Sequence, residues 1–230
     1  MHTQMHFLMP FVVVAVLVLI VISTIYGLIQ ARRRLEGLNE LALRLGLNFS
    51  AAEDRELAER YGFLKQLAQG ENRYAQNVLS GTFQQNQVLA FDFHYETYSE
   101  GKSGRQTHHH WFSFFILTLP AVFPDLTIRR ENLFTKVAEA FGYQDIKFES
   151  AEFSKTFLVR SPDKKFAYDV CNAKMMEYLL ANRDLSVEIE NQVLALAFNT
   201  RLSVEQIEAN LQRLVEIRSR LPEYLFTQNA

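Results

Sequence analysis

Three residues with ligand chemistry stand at alternate positions in one short stretch: Asp92, His94 and Glu96. Three consecutive histidines, His108, His109 and His110, follow after a glycine-containing segment. Alternate side chains of an extended chain share a face, so the first three project from one side of a strand. If the intervening segment closes symmetrically, His94 comes to lie near His110 or Trp111. Imidazole with carboxylate is a donor set for Zn²⁺ or another divalent transition ion. Asp92, His94, Glu96 and His110 are therefore the candidate metal ligands. The competing reading is plainer. Polar residues at every second position also describe the solvated face of an antiparallel sheet, and consecutive histidines point to alternate faces, so all three cannot be ligands.

The remaining chemistry is thin. Gly101-Lys102-Ser103 has the end of a phosphate-binding loop, but Glu96 stands where that motif requires its first glycine. The single cysteine, Cys171, sits beside Val170 on an expected helix with no base implied by spacing, which describes a small buried hydrophobe better than a nucleophile. No G-x-S-x-G, H-E-x-x-H, C-x-x-C or G-x-G-x-x-G pattern occurs. No catalytic residue and no cofactor is expected.

The elements that must position these residues follow from periodicity. Leu35, Leu38, Leu41, Ala42 and Leu45 recur at helical spacing up to Gly46. Ser50 with Glu53 reads as a capping box for a helix carrying Leu57, Tyr61, Leu64 and Leu67 to Gly70. From 77 the period becomes two: 77–83 and 88–97 form a hairpin turning at Gln85-Asn86, with Leu89, Phe91, Phe93 and Tyr95 toward the core. A tip at 99–107 leads to a strand over 111–119, a loop bracketed by Pro120 and Pro124, a strand over 126–129 and a helix over 133–141 closed by Gly142. Strands at 146–148 and 153–160, a helix to Ala181, a hairpin of 187–189 with 193–198, and a terminal helix capped by Ser203 and Gln206 complete the chain. Hairpins mixed with separated helices predict an α+β fold, a mostly antiparallel sheet with flanking helices, preceded by one N-terminal transmembrane helix.

The N-terminal anchor combined with Asn77-Val78-Leu79-Ser80-Gly81, Phe91-Asp92-Phe93 with Tyr95, Phe148-Glu149-Ser150 with Phe153, and Phe157-Leu158-Val159 resembles a group of bacterial membrane-anchored proteins of unknown function. The resemblance covers most of the soluble chain through core-strand patterns. It implies a bacterial inner-membrane protein with a cytoplasmic α+β domain, and it carries over no catalytic residue.

Placement rests on stronger physics. From Phe7 to Ile29 there is no charged residue, and Phe, Leu, Ile and Val dominate. As a helix this stretch reaches about 34 Å, enough to cross a hydrocarbon core of about 30 Å. Arg32, Arg33 and Arg34 follow at once, and an arginine excess marks the cytoplasmic end, so the N-terminus is expected outside and the domain in the cytoplasm. The triplet is expected at the anionic headgroups. Residues 1–31 then form the anchor segment (span 7–29), 32–48 an amphipathic juxtamembrane helix, and 49–230 a soluble α+β domain that can divide into two lobes near 120–145. With 24 Lys and Arg scattered among 26 Asp and Glu, the formal net charge is -2, and the electrostatic footprint of a nucleic-acid binder is missing.

The partners expected are the lipid bilayer and a protein, either unidentified or a second copy of the chain. The preferred function is a non-enzymatic interaction or scaffold module, since tethering raises local concentration where no catalytic constellation is visible. A ligand-binding or sensory module, its aromatics lining a pocket, is the alternative. A metal-dependent enzyme using Asp92, His94 and Glu96 is the third.

Overall fold

The computed structural model describes residues 3–101, 104–130 and 144–227. Helix α1, Thr3–Leu45, runs 43 residues without interruption, about 65 Å. It is long and apolar enough to cross a membrane, and from Val16 to Arg33 its described side chains are exposed. It ends because Gly46 takes a left-handed conformation (φ 69°), which lets the Gly46 and Leu47 N–H groups return to the carbonyls of Leu43 and Ala42. The last turns bury Leu38, Leu41 and Ala42 against the domain, so the segments expected as anchor and juxtamembrane helix are one element.

The sheet that receives α1 is antiparallel throughout, in the order β1 (Asn48–Ser50), β2 (Glu71–Phe83), β3 (Asn86–Gly101), β4 (Gly104–Arg130), β5 (Phe157–Arg160), with β6 (Val187–Ala197) on β4 as well. β6 lies along one edge of β4 from Phe114 to Ile128, so β3 and β5 share the other edge. Around it lie α2 (Arg55–Arg60), α3 (Ala151–Thr156), α4 (Lys164–Val170), α5 (Ala173–Ala181), α6 (Val204–Arg220) and α7 (Tyr224–Thr227). The expected α+β class is what the chain forms.

Both faces of the central strands are covered. Val88, Ala90, Phe115 and Leu117 pack in the larger core with Leu38, Leu41 and residues of α4 to α7; Phe91, Phe93, Phe112 and Phe114 pack in a second core under Leu57, Leu64 and Leu67. The expected one-sided strand 88–97 is corrected accordingly. Val88, Ala90, Asp92 and His94 are all buried, and the face expected to be solvated is the one α1 covers.

Several local expectations change for identifiable reasons. Ser50 is paired in β1 with Val78, and the helix starts later, on Asp54, whose carboxylate accepts the Leu57 N–H; α2 then stops at Arg60. The first hairpin turns at Gln84-Gln85, both left-handed (φ 46° and 66°), one residue earlier than expected. Pro120 and Pro124 do not break β4. They fall where its register with β6 shifts, so no regular ladder bond needs their missing N–H. For the same reason β6, Val187–Ala197, is one irregular strand with a left-handed Asn191, where a hairpin of 187–189 with 193–198 was expected.

Ser150 accepts the Phe153 N–H and winds 151–156 into α3, leaving only 157–160 as strand, while Ile146 makes a single bridge to Val159. Asn172 caps α5 and so divides the expected helix 164–181 in two. The Ser203–Gln206 capping box is present as expected. β4 runs unbroken through 120–130, the first part of the interval where two lobes could divide. The rest of that interval to 143, with the expected helix 133–141, lies outside the described residues, as do Lys102 and Ser103.

Candidate functional site

The unusual side chains gather where α1 first meets the sheet. Asp92 is 2% exposed, and its carboxylate takes Arg34 Nη2 at 3.0 and 2.9 Å, Asn77 Nδ2 at 3.0 Å and Ser113 Oγ at 2.9 Å. Arg34 Nη1 also donates to the Leu202 carbonyl at 2.7 Å, and Ser113 Oγ accepts the Leu202 N–H at 2.9 Å. One carboxylate therefore ties together α1, β2, β3, β4 and the loop before α6. Each Asp92 oxygen thus already accepts two hydrogen bonds, and its carboxylate is turned to Arg34, Asn77 and Ser113.

This corrects the place given to Arg34. Arg32, paired with Glu36, and Arg33 are exposed just beyond the apolar run, but Arg34 turns inward. It lies four residues before Leu38, on the stripe that α1 buries, and its positive charge meets a buried carboxylate at one turn's remove from the apolar run.

The contacts also give a direction. Arg34 meets β3 at Asp92, while Leu47, just past the helix, packs on Gly81, which pairs with Val88. α1 thus descends the sheet antiparallel to β3. Beyond Asp92, β3 and the start of β4 leave the node in the same sense as the apolar half of α1. Ile29 lies about 7.5 Å up the helix from Arg34, and Gly101 about 30 Å along the strand from Asp92.

On that outgoing stretch, His94 pairs with Trp111 and Glu96 with His109. His94 Nε2 lies 3.0 Å from His109 Nδ1, Glu96 Oε1 lies 3.5 Å from the same atom, and the three ligand atoms are all within 4.8 Å of one another. His110, the candidate chosen from sequence, belongs to the opposite face, stacked on Tyr95 and bonded to Thr97. His109 is the residue that sequence reasoning passed over. The signal was available: pairing Gly101 with Gly104 sets Glu96 opposite His109.

Tyr74 and Trp111 pack on His94, with Arg55 and Arg201 over their respective rings. Burial holds His94 below the usual imidazole range, despite a backbone carbonyl and nearby carboxylates that favour its cation. Hydrogen bonds from Asn72 and Tyr98 hold the Glu96 carboxyl below its usual range.

A second buried polar group lies elsewhere on the sheet. Glu188, 2% exposed, accepts the Lys65 N–H at 2.6 Å and faces Arg129 at 3.6 Å, while Lys65 Nζ pairs with Asp125 at 2.9 Å. Burial raises the Glu188 carboxyl to about 7 against the opposing pull of Arg129. Cys171 is buried, and burial pushes its thiol up, away from reactive thiolate.

Phe93, Phe114, Phe115, Phe153 and Phe157 are fully buried, so these aromatics fill cores. A shallow groove of about 450 Å³ runs past Val122, Phe123, Pro124, Lys165 and Asp169.

No protein-family model matches the chain, and no curated protein sequence matches it. Its fold is similar to the crystal structure of the mycobacterial trehalose monomycolate transport factor A, TtfA, with a TM-score of 0.60 at 16% identity, over 83% of this chain and 95% of that one. At that identity the likeness is one of fold.

Proposed function

We propose that this chain is a membrane-tethered, non-enzymatic accessory platform, whose domain is held in a fixed orientation beside a bacterial inner membrane and engages a membrane-protein partner or a second copy of itself. One observation carries the reading: α1 passes without a break from its apolar half into a buried ion pair with the sheet. A flexible tether would need neither. A continuous helix clamped at Asp92 restricts how the domain can turn relative to the anchor, which suits presenting one surface to a neighbour in the same bilayer. The similarity to a transport factor supports an accessory role of this kind. The exposed Arg32 and Arg33 beside the apolar run favour a cytoplasmic domain.

The surface offered is the membrane-side end of β3 and β4, with exposed Tyr98 under Arg105 at 3.5 Å, the kind of aromatic and arginine pair that interfaces favour. Photo-crosslinking residues placed at Tyr98, at Arg201 and at the distal Gln84 of the full-length protein, in native membranes, test it. The expected result is an adduct of one defined mass from Tyr98 or Arg201 and none from Gln84. Equal adducts at all three positions, or none, would overturn the proposal. A Gln84→Cys variant labelled by an impermeant reagent in intact cells would overturn the orientation.

A further inference from the structure

A carbonyl oxygen can only accept, so the contact between His94 Nδ1 and the Asn72 carbonyl, 3.2 Å, places the ring proton on Nδ1. Nε2 then carries a free lone pair, and it points at His109 Nδ1. A backbone carbonyl that fixes the tautomer of a histidine and directs its other nitrogen outward is the arrangement found around metal-ligating histidines. Asn72 does more than this. Its side-chain amide donates to Glu96 Oε1 at 2.7 Å, orienting the carboxylate and leaving that oxygen a second lone pair.

Asn72 reaches both groups because it sits in an irregularity of β2, between Glu71 and Tyr74, in a left-handed conformation (φ 48°). Bulges and strained backbone of this kind concentrate at sites where a side chain must be re-aimed.

From these contacts the geometry points to a divalent transition-metal site formed by His94 Nε2, Glu96 Oε1 and His109 Nδ1, suited to Zn²⁺ in four-coordinate geometry with solvent as the fourth ligand. Two Zn–N bonds of about 2.0 to 2.1 Å at a tetrahedral angle separate the nitrogens by about 3.3 Å. The observed 3.0 Å needs an opening of only a few tenths of an ångström, and 3.5 Å from Glu96 to His109 is already close. His109 must surrender its Nδ1 proton on binding. Its ring is exposed, so that proton can leave to solvent and the neutral ring can carry its hydrogen on Nε2. Tyr74 and Trp111 supply the apolar wall.

The ligands come from both β3 and β4, with β2 behind them through Asn72, so the ion would staple the base of the outgoing hairpin. This inference stands apart from the partner-binding proposal, and each can fail without the other.

The test uses full-length, untagged protein in detergent micelles, stripped with chelator, in a His2→Ala, His6→Ala background that removes the N-terminal imidazoles. Zn²⁺ is titrated by calorimetry and Co²⁺ by visible absorption. The expected result is one ion per chain, a Co²⁺ spectrum of four-coordinate intensity, and a rise in melting temperature with Zn²⁺. His109→Ala and Glu96→Gln should weaken binding by about tenfold or more, while His108→Ala and His110→Ala, on neighbouring positions of the same strand, should leave it within about twofold. His109 is exposed, so its replacement leaves the fold standing and the outcome does not hang on the buried His94. Failure of both ions to bind stoichiometrically would overturn the site. So would His109→Ala binding like the parent, or His108→Ala losing as much as His109→Ala.

Discussion

Replacing Arg34 by alanine should unfasten the domain from the N-terminal helix, and the size of the effect can be worked from the contacts. The substitution removes both hydrogen bonds from Arg34 Nη2 to Asp92 and the bond from Nη1 to the Leu202 carbonyl. It leaves a carboxylate that is 2% exposed without its countercharge. Breaking one partner of a buried pair typically costs about 3 to 5 kcal/mol. Two features reduce that here: Asn77 and Ser113 still donate to Asp92, and the Arg34 side chain is itself 20% exposed, so water reaches the edge of the pair. About 2 to 4 kcal/mol is expected.

With a urea dependence of about 2 kcal/mol per molar, the midpoint of unfolding of the full-length protein in micelles should fall by about 1 to 2 M. Arg32→Ala and Arg33→Ala are the controls. Both side chains are exposed, and each change should stay within about 0.5 kcal/mol. A double-mutant cycle of Arg34→Ala with Asp92→Asn should return a coupling of about 1 to 3 kcal/mol. If Arg34→Ala unfolds at the same urea concentration as Arg32→Ala, the clamp contributes nothing and the oriented-platform reading loses its basis.

Other perturbations separate the remaining claims. The folded-state Glu188 carboxyl is raised from 4.5 to about 7, so the native state binds the proton more tightly than the unfolded chain; stability should fall as pH rises from about 4.5 and level off above about 7, by roughly 3 kcal/mol in all. Glu188→Gln should flatten that part of a stability-against-pH curve, and an unchanged slope between pH 5 and 7 would refute the assignment. Gly70 has φ 63°, and a Cβ there would stand within 2.5 Å of both the Glu96 carbonyl and the Tyr95 ring; Gly70→Ala should cost about 2 to 4 kcal/mol by denaturant melts, of which about 1 to 2 kcal/mol is the left-handed conformation alone. Cys171 should react with a maleimide at the rate of global unfolding, so labelling that is fast under native conditions would contradict its burial.

How much of this was legible beforehand differs between elements for physical reasons. The long apolar helix, the class of the fold and the capping box at Ser203 rest on local patterns, uncharged length, alternation and a side chain returning to nearby N–H groups, and such patterns survive whatever packs around them. The polarity of β3 did not survive. Asp92 and His94 alternate with Phe91 and Phe93 as a solvated face would, but α1 covers that face and Arg34 supplies the charge that makes the burial of Asp92 tolerable. Nothing within ten residues of Asp92 announces a partner 58 positions away. The histidine placement turned on register: moving the turn by half a residue exchanges His110 for His109 and with it one face of the sheet for the other. The strand expected at 153–160 was lost to a single hydroxyl, Ser150, whose cap outweighed the β-propensity of the aromatic residues that follow it.

The uninterrupted path from Ile29 to Arg34 makes the azimuth of the apolar half of α1 and that of the domain a single variable. One alanine inserted between them would turn the side chains of the apolar half by about 100° relative to the sheet and move the domain along the helix axis by about 1.5 Å. A neighbour that reads both the buried helix and the domain surface would then lose one contact whenever it kept the other. Seven inserted residues bring the phase back to within about 20° while raising the domain by about 10 Å, so the two insertions separate a requirement for direction from a requirement for height.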